Sequence, residues 1–166
     1  LMDLDHFKTI NDVHGHLVGD AVIRQAAGAL TGVLRETDHA IRYGGEEFLV
    51  IMPGLSVDQA LPVADRIRSA ISGLGLDSGG PGVQVTSSIG IAERSGSESL
   101  SDWVARADRA MYEAKDAGRD RVGLAPTPPP SQPARNSDDP ASETLPGSKA
   151  RDEDDLAVIT RDLDGS

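Results

Sequence analysis

The chain of 166 residues contains no cysteine. That excludes a disulfide framework, a thiol nucleophile and any thiolate metal site. Aromatic residues make up only 3% of it, a thin provision for a large core. No apolar run approaches the roughly 18 residues that a membrane-crossing helix needs. Positive charge is scarce, with 16 Lys and Arg against 27 Asp and Glu and a net charge of −11. Such a balance argues against sequence-independent nucleic-acid binding, which runs on Lys and Arg neutralising phosphates. No signal peptide is visible and the first residue is Leu1, so the chain reads as a fragment or processed product. Its length suits one domain with a tail.

What is present is unevenly placed. Residues 1–124 hold 12 basic and 18 acidic groups and all five aromatics, Phe7, Tyr43, Phe48, Trp103 and Tyr112. Residues 125–166 hold 4 basic and 9 acidic groups, and seven of the ten prolines lie between Pro126 and Pro146. This second part buries too little apolar surface to offset its ordering entropy and is expected to be a disordered, Pro-rich acidic tail. Its one apolar patch, Leu156 to Ile159, is compatible with a weak helix, a strand or neither.

The first part alternates strands and helices. Leu1 to Asp5 reads as the end of a strand, and His6 to His14 as a short helix. Asp20 to Arg35 repeats apolar residues at helical spacing. Ala40 to Tyr43 and Phe48 to Met52 flank Gly44-Gly45, the pattern of a tight hairpin whose turn needs positive φ. Ser56 is a suitable N-cap for a helix to about Ser72, with Pro62 as a possible interruption. Val83 to Glu93 is β-branched and strand-like. Ser101 can cap a helix sharing Trp103, Val104, Ala107, Met111 and Ala114 on one face and ending at Gly118. Arg121 to Leu124 makes a last strand. The expected fold is α/β, a mixed central sheet with an antiparallel hairpin, flanked by helices.

Two acidic groups fall at strand ends. Asp3 and Asp5, two apart, can share one strand face. Glu46-Glu47 follows the Gly-Gly turn. Crowded carboxylates repel unless a cation or hydrogen bonds neutralise them, and hard oxygen ligands of this kind suit Mg²⁺. Spacing alone favours solvent-facing acids at strand ends over a metal site. Lys115 and Arg119, at i and i+4, can hold phosphates from one helix face or simply complement the helix dipole. His14 and His16 flank Gly15 and read as turn or surface residues rather than metal ligands.

The segment Tyr43-Gly44-Gly45-Glu46-Glu47-Phe48 resembles the signature of the GGDEF, or diguanylate cyclase, family in its GGEEF variant. Three further blocks resemble the same family in the same order: Asp3 to Asp20, Ser87 to Ala92, and Ala107 to Val122. The resemblance covers nearly all of residues 1–124, but the family's N-terminal helix and the start of its first strand are absent. Losing a core segment is expected to weaken a domain that has only about 5–15 kcal/mol of stability.

The resemblance implies a palm-like nucleotidyl-cyclase fold and the condensation of two GTP into cyclic di-GMP with release of pyrophosphate. The chemistry would follow two-metal logic with Mg²⁺ or Mn²⁺. Asp3, the Leu4 carbonyl, Glu46 and Glu47 would hold metal, and Glu46 would accept the proton of the attacking 3′-hydroxyl. Gly44 and Gly45 would admit the phosphates, Asn11 and Asp20 would read guanine, and Lys8, Lys115 and Arg119 would contact phosphates. Arg35 and Asp38, spaced as an RxxD motif, and Arg66 would form a product-inhibition site for cyclic di-GMP. Catalysis would need a homodimer, in a cytoplasmic domain with neither nucleic acid nor a membrane segment involved; any membrane anchor would belong to the parent protein outside this chain. The alternatives are a non-catalytic GTP- or cyclic-di-GMP-binding regulatory module, disfavoured because Asp3, Lys8, Asn11 and Glu46 are all retained, and an inactive fragment.

Overall fold

Met2 and Leu4 are apolar on either side of Asp3, so a strand here must bury one face and present a carboxylate on the other. The computed structural model, which describes residues 1–75, 83–96, 98–127 and 157–159, builds the fold around that strand. It is β1, Met2–Leu4, and it lies between two antiparallel neighbours. On one side is β3, Glu47–Ile51, itself paired with β2, His39–Arg42. On the other is β4, Ser87–Ile91, which pairs in parallel with β5, Val122–Leu124. The order is β5-β4-β1-β3-β2, and a short strand β6, Ala157–Ile159, adds antiparallel to the β2 edge.

Helices α1 (Phe7–His14), α2 (His16–Val33) and α3 (Val57–Ser72) belong with one face of this sheet, and α4 (Leu100–Asp116) with the other. The main core joins Met2, Leu4, Phe48 and Ile89 of the sheet to Val22, Leu30, Ile67 and Ile71 of α2 and α3. Phe48, Val22, Leu30 and Ile71 are fully enclosed, so a few large side chains carry the core despite the scarcity of aromatics. The α4 side is a smaller cluster of Leu1, Ala107 and Met111.

Two glycines set the approach of α4. Gly90 of β4 and Gly123 of β5 are register partners. A Cβ on Gly90 would strike the Ala107 carbonyl and the Met111 nitrogen, and one on Gly123 would strike the Ala110 carbonyl. The helix backbone thus rests directly on the sheet, and its last turn reaches the end of β1.

Several boundaries differ from the sequence reading for identifiable reasons. Helix α2 starts at His16 rather than Asp20, because its first turn faces water and carries no apolar period. Gly15, at φ +83°, lets α2 begin one residue after α1 ends. Ser99, not Ser101, caps α4: its hydroxyl accepts from the Asp102 nitrogen at 3.1 Å. Ser56 caps α3 in a capping box with Gln59, and the helix runs unbroken through Pro62, which is exposed. The strand expected over Val83 to Glu93 is confined to Ser87–Ile91; just past it the Ala92 carbonyl accepts from Trp103 Nε1 at 2.7 Å instead of from a neighbouring strand. Gly44 and Gly45 do not form a positive-φ turn; neither is among the residues with φ above zero.

The ordered domain runs slightly past Leu124: the Ala125 nitrogen donates to the Ile91 carbonyl at 2.8 Å, and Arg106 donates to the Pro126 carbonyl at 3.2 Å. The expected disordered tail falls mostly on 128–156 and 160–166, outside the described residues. Its apolar patch supplies β6.

Gly90→Ala is expected to destabilise the domain by about 2 kcal/mol or more, the overpacking range, because helix backbone cannot yield as a side chain can. Gly28→Ala, on α2 where a Cβ meets nothing within 4 Å, should instead stabilise it by about 0.5–1 kcal/mol. Urea denaturation of the two variants against the parent chain checks both signs.

Candidate active site

In antiparallel strands, directly opposed residues point to the same side. Asp3 is opposed by Glu47 on β3 and by Ser88 on β4. The face they share is the one that α4 covers. There the Lys115 ammonium lies 2.8 Å from Asp3 Oδ2, with both side chains largely shielded, at 25% and 11% exposure. Burial raises the pKa of Asp3, and the Lys115 hydrogen bond only partly opposes it; Asp5 raises it further and Arg119 lowers it. The ion pair therefore does not fully compensate the charge at this point.

Glu46 adds to the imbalance. The signature turn folds back so that the Glu47 carbonyl accepts from the nitrogens of Tyr43 (2.9 Å) and Gly44 (3.3 Å). Arg42 clamps its apex, donating from Nη2 to the Gly45 carbonyl at 2.8 Å. The Leu4 nitrogen donates to the Glu46 carbonyl at 3.2 Å, which ties the turn to the end of β1. Burial raises the pKa of Glu46, and the charges of Asp3 and Glu47 raise it further. A Cβ on Gly44 would sit 2.6 Å from Glu47 Oε2, the movable end of a flexible side chain, so the Glu47 carboxylate lies close over the Gly44 backbone. Gly45 is exposed with nothing within 4 Å, so a bulky group can approach its backbone.

Asp3, Glu46, Glu47, Lys115 and the Leu4 backbone thus meet at one end of the β1–β3 pair. Among the described residues no three acidic or histidine side chains already surround a single point. The donor set still fits a divalent cation: hard carboxylate oxygens and a main-chain carbonyl, mutually repelling and short of positive charge. Such a cation commonly takes one or two carboxylates and completes its shell with phosphate oxygens and water.

Lys8, Asn11 and Asp20 form a second group on α1 and α2. Helix α1 starts at once after β1, with His6 in the left-handed region at φ 57°. Gly19 packs so closely on Asn11 and the Phe7 ring that a Cβ would overlap Asn11 Oδ1. This holds Asn11 beside the first turns of α2, next to the exposed Asp20. Lys8 is exposed, as are His14 and His16.

Arg35 and Asp38 are joined by a turn: the Arg35 nitrogen donates to Asp38 Oδ2 at 2.9 Å, and the Asp38 nitrogen to the Arg35 carbonyl at 3.1 Å. Asp38 Oδ1 is a buried atom without a hydrogen-bond partner among the described residues. Arg66 is exposed on α3, and no hydrogen bond or ion pair joins it to that turn among the described residues.

Asp5 differs from expectation. It lies beyond β1 and turns its carboxylate into the protein, towards Thr86, Ser88 and Asp120, rather than out beside Asp3. Sequence reasoning also missed Arg68, Thr86, Ser88 and Asp120. Their contacts with Asp5 and between Arg68 and Asp120 span 52 to 115 residues, so no local pattern marks them. A separate apolar cavity of about 450 Å³, lined by Leu49, Ile51, Ile91 and Trp103 among others, includes none of the charged site residues. No helix among the described residues is long and apolar enough to cross a membrane.

Residues 1–121 match the family described as diguanylate cyclase, GGDEF domain. The chain is 42% identical over 125 residues to diguanylate cyclase DgcP of Pseudomonas aeruginosa, covering 75% of this chain but only 19% of that protein. It superposes with a TM-score of 0.71 and 39% identity on the GGDEF domain of DgcB from Caulobacter crescentus in complex with c-di-GMP, covering 75% and 74% of the two chains. The active GGEEF domain of a diguanylate cyclase from Vibrio cholerae gives a TM-score of 0.69 and 29% identity, covering 76% and 81%.

The crowding of carboxylates has a measurable sign. The pKa of Glu46 is higher in the folded state than in the unfolded chain. Between those two values the folded state binds more protons, so stability falls as pH rises through them. Glu46→Gln should therefore raise the melting temperature at pH 7 without added metal, and the gain should shrink as the pH drops towards about 4. Thermal melts across that range check it; an equal or lower melting temperature at pH 7 would contradict it.

Proposed function

Because the chain belongs to the diguanylate cyclase GGDEF-domain family, we propose that it is the catalytic domain of an enzyme that joins two GTP molecules into cyclic di-GMP, releasing two pyrophosphates. The observation that carries this reading is the tie between the signature turn and β1, which puts Glu46 within electrostatic reach of Asp3. Each domain holds one GTP, and two copies of the domain face one another. Each 3′-hydroxyl attacks the α-phosphate of the other nucleotide. A phosphorus–oxygen bond forms as the bond to pyrophosphate breaks.

In this scheme Glu46 accepts the proton of the attacking hydroxyl. Asp3, the Leu4 carbonyl, Glu46 and Glu47 would hold divalent cations, Mg²⁺ or Mn²⁺, which would offset charge on the α-phosphate and the departing pyrophosphate, following two-metal logic. Lys8, Lys115 and Arg119 contact phosphates. The open space above Gly45, and Gly44 beside it, let phosphate oxygens approach the turn. Asp20 accepts from the guanine ring N–H and amine, and Asn11 serves either polarity.

Arg35, Asp38 and Arg66 form a separate product-binding site that feeds back on turnover. A cytoplasmic location belongs to the same reading, since GTP is a cytoplasmic nucleotide.

Incubation with GTP and Mg²⁺ should give cyclic di-GMP, and Glu46→Ala should lower the rate by at least about 100-fold, the scale of losing a general base. Mass spectrometry of the products checks it. GTP bound but unconsumed by the parent chain would make it a non-catalytic module instead. Arg35→Ala should leave the initial rate intact and relieve inhibition by added cyclic di-GMP; unaltered inhibition would remove the product site from the scheme.

A further inference from the structure

Asp5 is 3% exposed and takes no part in the chemistry above. A buried carboxylate is tolerated only when its oxygens are satisfied, and here both are. Oδ1 accepts from Ser88 Oγ at 2.7 Å. Oδ2 accepts from Thr86 Oγ1 at 2.8 Å and from the main-chain N–H of Asp120 at 3.1 Å. The third donor comes from the far end of the chain, where α4 exits.

That exit has an unusual backbone. Gly118, Arg119 and Asp120 have φ of 113°, 61° and 45° in succession. Two adjacent non-glycine residues in the left-handed region persist only where surrounding contacts over-determine them. The contacts are visible on both sides of Asp120. Its N–H is held by Asp5 at the end of β1. Its carboxylate is held by Arg68 of α3, whose Nη1 lies 2.9 Å from Oδ1, while Asp65 steadies the same guanidinium at 3.1 Å. The residue just before this anchored point is Arg119. Its own side chain is exposed and makes no ion pair among the described residues, so its direction is set by the backbone beneath it.

We propose that Asp5 is a positioning residue for nucleotide phosphate: together with Arg68 it latches Asp120 and so fixes the left-handed exit of α4 that aims Arg119 at the triphosphate. This rests on the reading of Arg119 as a phosphate contact. Asp3 and Asp5, two residues apart, then divide the labour at the end of β1. Asp3 faces the reacting end of the nucleotide, and Asp5 holds the turn that carries the cation.

The test uses the full chain with Mg²⁺–GTP as ligand, calorimetry for affinity, and hydrogen exchange of the Asp120 amide as a readout independent of nucleotide. Asp5→Asn and Arg68→Ala should each weaken GTP binding about 5-fold, the scale of one hydrogen bond, and Asp5→Asn should speed exchange at Asp120. Arg68→Lys, which keeps a charged donor, should restore most of the affinity. In an Arg119→Ala background neither substitution should weaken binding further, because the latch acts through Arg119. Arg68 is a surface residue, so Arg68→Ala decides the question if Asp5→Asn fails to fold. An undiminished affinity in Arg68→Ala, or the same loss with Arg119 already removed, overturns the latch. A parent chain that binds no GTP overturns the functional reading itself.

Discussion

The contact between Lys115 and Asp3, 2.8 Å across the end of the central strand, depends on nearly everything else in the domain. Lys115 reaches Asp3 because α4 lies on the sheet backbone to backbone, and α4 can do so only because the partners Gly90 and Gly123 have no Cβ. Asp3 faces α4 because Met2 and Leu4 go into the core on the opposite side, against Phe48 and α2. Glu46 meets the same point because β1 and β3 are paired and the Leu4 nitrogen holds the signature turn down. One ion pair thus reports the strand alternation, the helix approach and the hairpin together.

The ion pair also shows why the site is unfinished without a ligand. One ammonium faces Asp3, with Glu46 and Glu47 close behind, and the pKa values of Asp3 and Glu46 both remain above their ordinary positions. Partly buried carboxylates left in that condition lower the stability of the fold at neutral pH. A site that needs positive charge, beside an exposed turn apex and the exit of α4, suits a polyanion that arrives with its own metal. The net charge of −11 is a sound argument against a nucleic-acid surface but not against a metal-bound nucleotide.

Much of this was legible in the sequence where the signal is local. Alternation around Asp3, the apolar period of α3 and α4, and the Gly-Gly hairpin each depend on residues within a few positions of one another. The family blocks then placed Asp3, Glu46, Lys115 and Arg119 together. What escaped notice depends on surroundings. The first turn of α2 is solvent-facing, so His16 and Leu17 carry no periodic mark. Gly44 looked like a conformational requirement, but its φ is not positive, and the nearest atom to a Cβ there is the movable end of the Glu47 side chain. Asp5 looked like a second surface ligand because its partners, Thr86, Ser88 and Asp120, lie at least 81 residues away in sequence. The patch in the acidic tail has strand-forming residues, but only the free edge of β2 gives it a partner.

The charge imbalance at Asp3 and Glu46 is the core of this picture, and under the proposed function it would make nucleotide and cation binding interdependent. Calorimetric titration of GTP into the chain, once with Mg²⁺ and once with the metal chelated, measures that dependence directly. Affinity should be at least about tenfold higher with the metal present, equivalent to about 1.4 kcal/mol. Equal affinity in the two titrations would mean that the carboxylates do not need the cation, and the electrostatic basis of the site would be wrong.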